Sequence, residues 1–296
     1  MKWINFAQPT TVDEAVGLLS ESKGKARILA GGTDLIVQLR GAPERLGDPD
    51  LIVDGKGISD LNELSYSAGS GLTLGAAVPC YRIYQNAEIA KAYPGLIDSA
   101  SLIGGIQIQG RASIGGNLCN GTPSADSIPA LIAHNVTCNI AGPNGTRSVA
   151  VEDFCTGPSK TVLQSDEILV SLSFPPPSDN FGARYIRFIP RNEMDIAVAG
   201  AGVSVTLQNG NIGSARVALA SVAPTPLLVK EISDALAGQP ANEATITEAG
   251  KLAKEAAKPI TDMRGTIEYR KHLCDVLTRR ALQAAITRAQ GGSVDA

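Results

Sequence analysis

The chain lacks a surplus of either charge: 26 Lys and Arg stand against 29 Asp and Glu, a net charge of −3. Without a basic excess, nothing points to a nucleic-acid partner. No apolar run is long enough to span a bilayer, so no transmembrane segment is expected. The five cysteines, Cys80, Cys119, Cys138, Cys155 and Cys274, lie far apart with no C-x-x-C pair. That spacing argues against an iron–sulfur or zinc site built within the chain and leaves buried or partly exposed thiols as the expectation. The only histidines, His134 and His272, have no neighbours of the kind a catalytic triad or metal site needs, and both read as structural. The start, Met1 to Phe6, has neither the apolar core nor the cleavage site of a signal peptide, so the cytoplasm is the expected compartment.

A hydrophobic content of 44% describes a soluble globular protein, and 296 residues exceed the usual size of a single core. Two domains, or one with subdomains, are expected. Thr11-Val12-Asp13-Glu14 has the form of a capping box and should open a helix. The run Ala26 to Leu29, an apolar helix from Leu35 and the run Asp50 to Asp54 predict a βαβ unit and a small first lobe. A second lobe begins near Leu61, with strands at Leu72 to Gly75, Thr137 to Ile140 and Ile168 to Phe174, and a helix at Ser127 to Ala133. Pro175-Pro176-Pro177 then excludes helix and central strand and marks a boundary. Beyond it, Asn209-Gly210 between two alternating runs marks a hairpin. Helices over Glu243 to Ala257 and Thr266 to Gln290 close the fold. In the latter, Tyr269, Leu273, Val276, Leu277, Ala281 and Leu282 form an apolar stripe, while Arg270, Lys271, Arg279 and Arg280 are expected mainly on other faces.

Two glycine-rich loops carry most of the functional signal. Leu29-Ala30-Gly31-Gly32-Thr33-Asp34-Leu35 and Ala112-Ser113-Ile114-Gly115-Gly116-Asn117 each sit beside an apolar run. Paired glycines let backbone N–H groups approach a phosphate with no Cβ in the way, so a diphosphate is the natural ligand. G-x-G-x-x-G is absent and no Lys follows either loop as a Walker A motif demands, which disfavours both common nucleotide folds.

Together with Gly110-Arg111, Leu74 to Val78, Thr122 to Asp126, Asp166 to Leu169, Arg191 to Ala197 and Glu268-Tyr269-Arg270, these loops resemble the medium, FAD-binding subunit of molybdenum hydroxylases. That family includes carbon monoxide dehydrogenase, quinoline and nicotinate-type hydroxylases and the central part of xanthine dehydrogenase. The resemblance runs from about Phe6 to about Arg288. It implies an α+β fold: a two-lobed FAD-binding domain of the PCMH (vanillyl-alcohol oxidase-like) type over residues 1–176, with lobes at 1–56 and 57–176. A C-terminal domain of antiparallel sheet and helices would follow over 177–290, then a loose tail over 291–296.

The resemblance also implies a site. Leu29, Ala30, Gly31, Gly32, Thr33, Asp34 and Leu35 would hold the FAD diphosphate on one side, and Ser113, Ile114, Gly115, Gly116 and Asn117 on the other. The Thr33 and Ser113 hydroxyls would add donors, and no arginine clamp is required. The Asp34 carboxylate is awkward beside a diphosphate and is expected to cap the following helix or bind a ribose hydroxyl. Asp126 would accept a hydrogen bond from the flavin's polar tail, with Asn120 and Thr122 nearby. The family pattern maps without gaps from Leu169 to Arg187, where relatives of xanthine dehydrogenase often have Lys near the isoalloxazine ring, and a cation there favours the reduced flavin. The alternative for Arg187 is a surface arginine paired with a carboxylate such as Glu193. Ile103 falls where eukaryotic relatives stack an aromatic on the ring, or is plain helix core.

One branch of the family inserts an iron–sulfur loop in this subunit, and no comparable insertion is visible here. The molybdenum cofactor and two [2Fe–2S] clusters would therefore belong to partners, a large molybdenum subunit and a small iron–sulfur subunit, in a dimer of heterotrimers. The chain would be an oxidoreductase subunit passing electrons from those clusters through FAD to an external acceptor. Two other readings stay open: a free-standing reductase similar to UDP-N-acetylenolpyruvoylglucosamine reductase, and a flavin-free assembly or scaffold subunit.

Overall fold

The computed structural model describes residues 3–191 and 193–294. Met1-Lys2, Asn192 of the Arg191 to Ala197 match and Asp295-Ala296 of the tail lie outside the described residues. Strands are β1 (Asn5–Ala7), β2 (Ala26–Leu29), β3 (Leu51–Asp54), β4 (Leu64–Ser67), β5 (Gly71–Gly75), β6 (Thr137–Gly142) and β7 (Gly145–Ala150). Then follow β8 (Cys155–Gly157), β9 (Lys160–Thr161), β10 (Ile168–Phe174), β11 (Phe181–Phe188), β12 (Ala199–Gln208), β13 (Asn211–Ala220) and β14 (Leu227–Leu228).

The expected βαβ unit is present. β2 and β3 pair in parallel, joined through helix Leu35–Gly41, and β1 adds a third parallel strand on the other side of β3. The capping box that opens helix Val12–Glu21 is complete, with the Thr11 hydroxyl accepting from the Glu14 N–H and the Glu14 carboxylate reaching back to the Thr11 N–H. A five-stranded antiparallel sheet follows in the order β4-β5-β10-β6-β7. The buried side chains of both segments form one continuous core, which includes Ala15 and Leu19 of the first and Leu72, Leu131 and Phe154 of the second.

The third sheet is antiparallel, β11-β12-β13-β14, with a core of its own. Asn209 and Gly210 both take positive φ between β12 and β13, the tight hairpin that their identity demands. β12 is buried on both faces because helix Ile267–Ala289 covers one side and helix Ser127–Ala133 the other. Small residues permit both approaches: a Cβ on Gly202 would lie 2.4 Å from the Pro129 carbonyl oxygen, and one on Gly182 2.0 Å from that of Ala285. Asp98, on helix Pro94–Ala100, binds the two cores together. It accepts from Arg288 at 2.7 and 2.9 Å, from Arg184 at 3.2 Å and from the Tyr185 N–H at 3.0 Å.

Several expectations need correction. Arg270 is buried, not solvated: its guanidinium binds the Val198 carbonyl and the Asp262 carboxylate at 2.7 Å each, while Tyr269 of the expected apolar stripe is partly exposed. His134 is structural, as expected, packed edge-on to Tyr93 and tilted against Phe174 and Phe181. Burial, with Arg288 nearby, pushes its pKa down to about 3, so the ring is neutral at any physiological pH. All five cysteines are free, Cys119 exposed and the rest buried.

Candidate flavin site

The first glycine loop leaves β2 and turns at Gly32, whose φ of +80° a side chain rarely adopts. Helix Leu35–Gly41 then begins, with the Ile36 N–H returning to the Gly32 carbonyl at 3.0 Å. Between strand and helix, the N–H groups of Gly31, Gly32, Thr33 and Asp34 donate to no acceptor among the described residues. The second loop opens helix Ile114–Cys119; there the Gly115 N–H is likewise uncommitted, while the Ile114 N–H is turned toward Val78 by the antiparallel bridge of Pro79 with Ser113. Donors fixed side by side in such number, and held by no protein acceptor, can converge on an external one.

The two loops touch. A Cβ on Gly31 would lie 1.9 Å from the Arg111 carbonyl oxygen, so only glycine permits this approach. Asn120 donates to the Asp34 carboxylate across the seam at 2.9 Å, and the Arg111 Nε reaches the Gly31 carbonyl at a long 3.4 Å. The sequence marks Arg111 only as part of the family match, with no arginine clamp expected, because its contact with Gly31 spans eighty residues of chain.

This geometry alters several assigned roles. Asp34 makes no side-chain cap to its helix; its carboxylate ties the two loops together through Asn120. Ser113 caps helix Ile114–Cys119 by accepting from the Gly116 N–H at 3.1 Å, so that N–H is committed, while the hydroxyl proton of Ser113 stays available. Gly115 is glycine for packing: its Cβ would fall 2.4 Å from the Ala76 carbonyl oxygen. The Asn117 side-chain amide oxygen accepts from the N–H and hydroxyl of Ser127 at 3.3 and 2.6 Å, which fixes the segment carrying Asp126 to the second loop.

Asp126 is the centre of a second cluster. Its carboxylate accepts from the Tyr185 hydroxyl at 2.7 Å and from Arg187 at 2.5 Å, both on β11. Burial pushes its pKa up to about 6, against the opposing pull of the Arg187 charge and of both hydrogen bonds. Arg187 is therefore paired, and its partner is Asp126, not Glu193. Tyr185 escaped notice in the sequence, where one phenol in an alternating strand carries no sign of its partner. Thr122 lies in the turn leading to Asp126, its carbonyl accepting from the Ala125 N–H at 3.0 Å. Ile103 and Leu169 are buried members of the first core; Leu169 sits opposite Ile140 where the β10–β6 register shifts. No group of three or more His, Cys, Asp or Glu side chains among the described residues could hold a metal ion.

A domain with two apposed glycine loops and uncommitted N–H donors, followed by an antiparallel sheet domain, defines a class of flavin-binding subunit. Residues 2–177 match the model for the FAD binding domain in molybdopterin dehydrogenase, and residues 184–285 match that for the CO dehydrogenase flavoprotein C-terminal domain. The chain belongs to this family of FAD-binding oxidoreductase subunits. It is similar to the xanthine dehydrogenase FAD-binding subunit of Escherichia coli O157:H7, at 31% identity over 97% of each chain. It is also similar to the carbon monoxide dehydrogenase medium chain of Afipia carboxidovorans, at 32% identity over 97% of this chain and 98% of that one. Among solved structures, carbon monoxide dehydrogenase from Hydrogenophaga pseudoflava superposes with a TM-score of 0.91 at 28% identity, covering 97% of this chain and 98% of that one. The likeness spans both domains, which favours the medium-subunit reading over the free-standing reductase.

Proposed function

We propose that this chain holds FAD between its two glycine loops and relays electrons from the iron–sulfur clusters of a partner subunit to an external acceptor. The uncommitted N–H groups of Gly31, Gly32, Thr33 and Asp34, facing a second loop that adds that of Gly115, are the observation that carries the reading. Neutral donors at fixed positions suit a diphosphate because they need no reorganisation when it arrives. The Thr33 and Ser113 hydroxyls extend the donor set. When bound, FAD supplies the ability to accept electrons from one-electron carriers and deliver them to a two-electron acceptor.

The chain's own contribution is to bind and orient. Arg187 and Tyr185 hold the Asp126 carboxylate in one direction, and Asn117 holds the same segment to the second loop. Substrate oxidation would belong to a large molybdenum subunit, with two [2Fe–2S] clusters on a small one, and the three would assemble as a dimer of heterotrimers. No helix among the described residues is long and apolar enough to cross a membrane, in keeping with a cytoplasmic complex. NAD, a quinone, a dye or oxygen would serve as acceptor.

The chain produced alone should purify yellow with FAD yet oxidise no substrate of the complex. Coexpression with the iron–sulfur and molybdenum subunits should give a copurifying complex that does. Substrate turnover by the purified single chain would refute this division of labour. A colourless chain that binds no added FAD would instead support the scaffold reading.

A further inference from the structure

Charge balance at the seam between the glycine loops points to a residue outside both motifs. The only charged side chain within residues 29–35 and 112–120 is Asp34. A diphosphate bound there brings two further negative charges into a half-buried place, and neutral N–H donors do not cancel them. One cation reaches the loops by hydrogen bond among the described residues: Arg111, through Nε to the Gly31 carbonyl at 3.4 Å. Its side chain is exposed and makes no ion pair with any described carboxylate, so its two terminal nitrogens are free. Its backbone lies directly against the first loop, its own carbonyl oxygen occupying the place where a Gly31 Cβ would stand.

We propose that Arg111 is a diphosphate-binding residue: the guanidinium braces the Gly31 carbonyl with Nε and presents its terminal N–H groups to the phosphate oxygens, offsetting Asp34. This rests on the FAD reading above. The brace and the phosphate contact cooperate. Holding the Gly31 carbonyl fixes the plane of the Gly31–Gly32 peptide, and therefore the direction of the Gly32 N–H on its opposite edge. A guanidinium performs both tasks because its donors lie in one rigid plane, which a lysine ammonium cannot reproduce.

The test is FAD titration of the flavin-stripped full-length chain, read by flavin fluorescence at low and at high salt, for the parent protein, Arg111→Gln and Arg111→Lys. Circular dichroism confirms that each is folded. Arg111→Gln should weaken FAD binding by about tenfold at low salt, the loss of one charge-assisted hydrogen-bonding group. The difference should shrink at high salt, where the parent's advantage is screened. Arg111→Lys should fall between the two, keeping the charge and losing the brace. FAD affinity of Arg111→Gln within twofold of the parent at both salt concentrations overturns the proposal. So does an equal, salt-independent loss in both variants, which would make Arg111 a brace alone. A parent chain that binds no FAD sinks the underlying reading as well, an outcome distinct from normal binding that ignores Arg111.

Discussion

Gly31→Ala is expected to lower FAD affinity by roughly 100-fold, the worth of two charge-assisted hydrogen bonds. The added methyl would stand 1.9 Å from the Arg111 carbonyl oxygen, a backbone atom with no flexible end to move aside. The loops must therefore separate, and donors on opposite sides of a diphosphate cannot both reach it after that. Gly110→Ala is the matched control, one residue from Arg111 but with nothing within 4 Å of its Cβ, and should bind FAD normally. Equal FAD affinities for Gly31→Ala and Gly110→Ala would remove the seam from the site. Gly32→Val, which the sequence would favour as a clean probe, is less clean: its positive φ and a Leu29 methyl 2.7 Å from the new Cβ strain the turn itself. Gly116→Val would strike the Ser113 cap, 3.0 Å away, before it reached any ligand.

The legible parts of this molecule were those encoded locally. The βαβ unit, the hairpin at Asn209-Gly210, helix Ser127–Ala133 and strand Ile168–Phe174 all follow from short-range periodicity and turn chemistry. The glycine loops were visible because glycine pairs are conspicuous, yet the reason for each glycine was not. Gly31 and Gly115 are required by close backbone approach, Gly32 by its left-handed φ, and only the folded chain distinguishes these. β1, β4 and β7 escaped because β1 and β4, at three and four residues, are too short to set a period, and β7 is largely exposed with no apolar alternation to mark it. Pairings across long stretches were equally hidden. Arg270 reads as a solvated helix charge until Asp262 and the Val198 carbonyl are seen beside it, and the sequence offers Arg187 only the nearby Glu193 as a partner until Asp126 arrives from sixty-one residues away.

That last pairing yields a strong pH-dependent effect. Arg187→Met removes the cation from a carboxylate that is almost fully buried, and should cost about 3–5 kcal/mol at pH 8, where Asp126 would have to remain charged without its partner or take up a proton. At pH 5 the loss should be smaller. In the parent protein burial already places the Asp126 pKa at about 6, above the ordinary carboxyl value, with Arg187 and Tyr185 pulling it down. The folded state thus binds the proton more tightly than the unfolded one. Stability contributed by that proton is fully present below the unfolded pKa of 3.8 and is lost as pH rises through about 6. Without Arg187 the folded pKa moves higher still, so the variant goes on losing stability above pH 6 where the parent has levelled off. Denaturant unfolding at pH 5 and pH 8 measures both gaps, and a deficit equal at the two values would mean that Asp126 is not the group exposed by the substitution. With FAD placed as proposed, the same pairing bears on the flavin. At pH 8 Arg187 and Asp126 together carry no net charge, so a ring beside them feels a dipole and not a free cation, whereas Asp126→Asn leaves Arg187 unbalanced. Because Asp126 takes up a proton more readily once Arg187 is gone, the two-electron potential should rise in Asp126→Asn by more than it falls in Arg187→Met, with about 30 mV corresponding to each 1.4 kcal/mol.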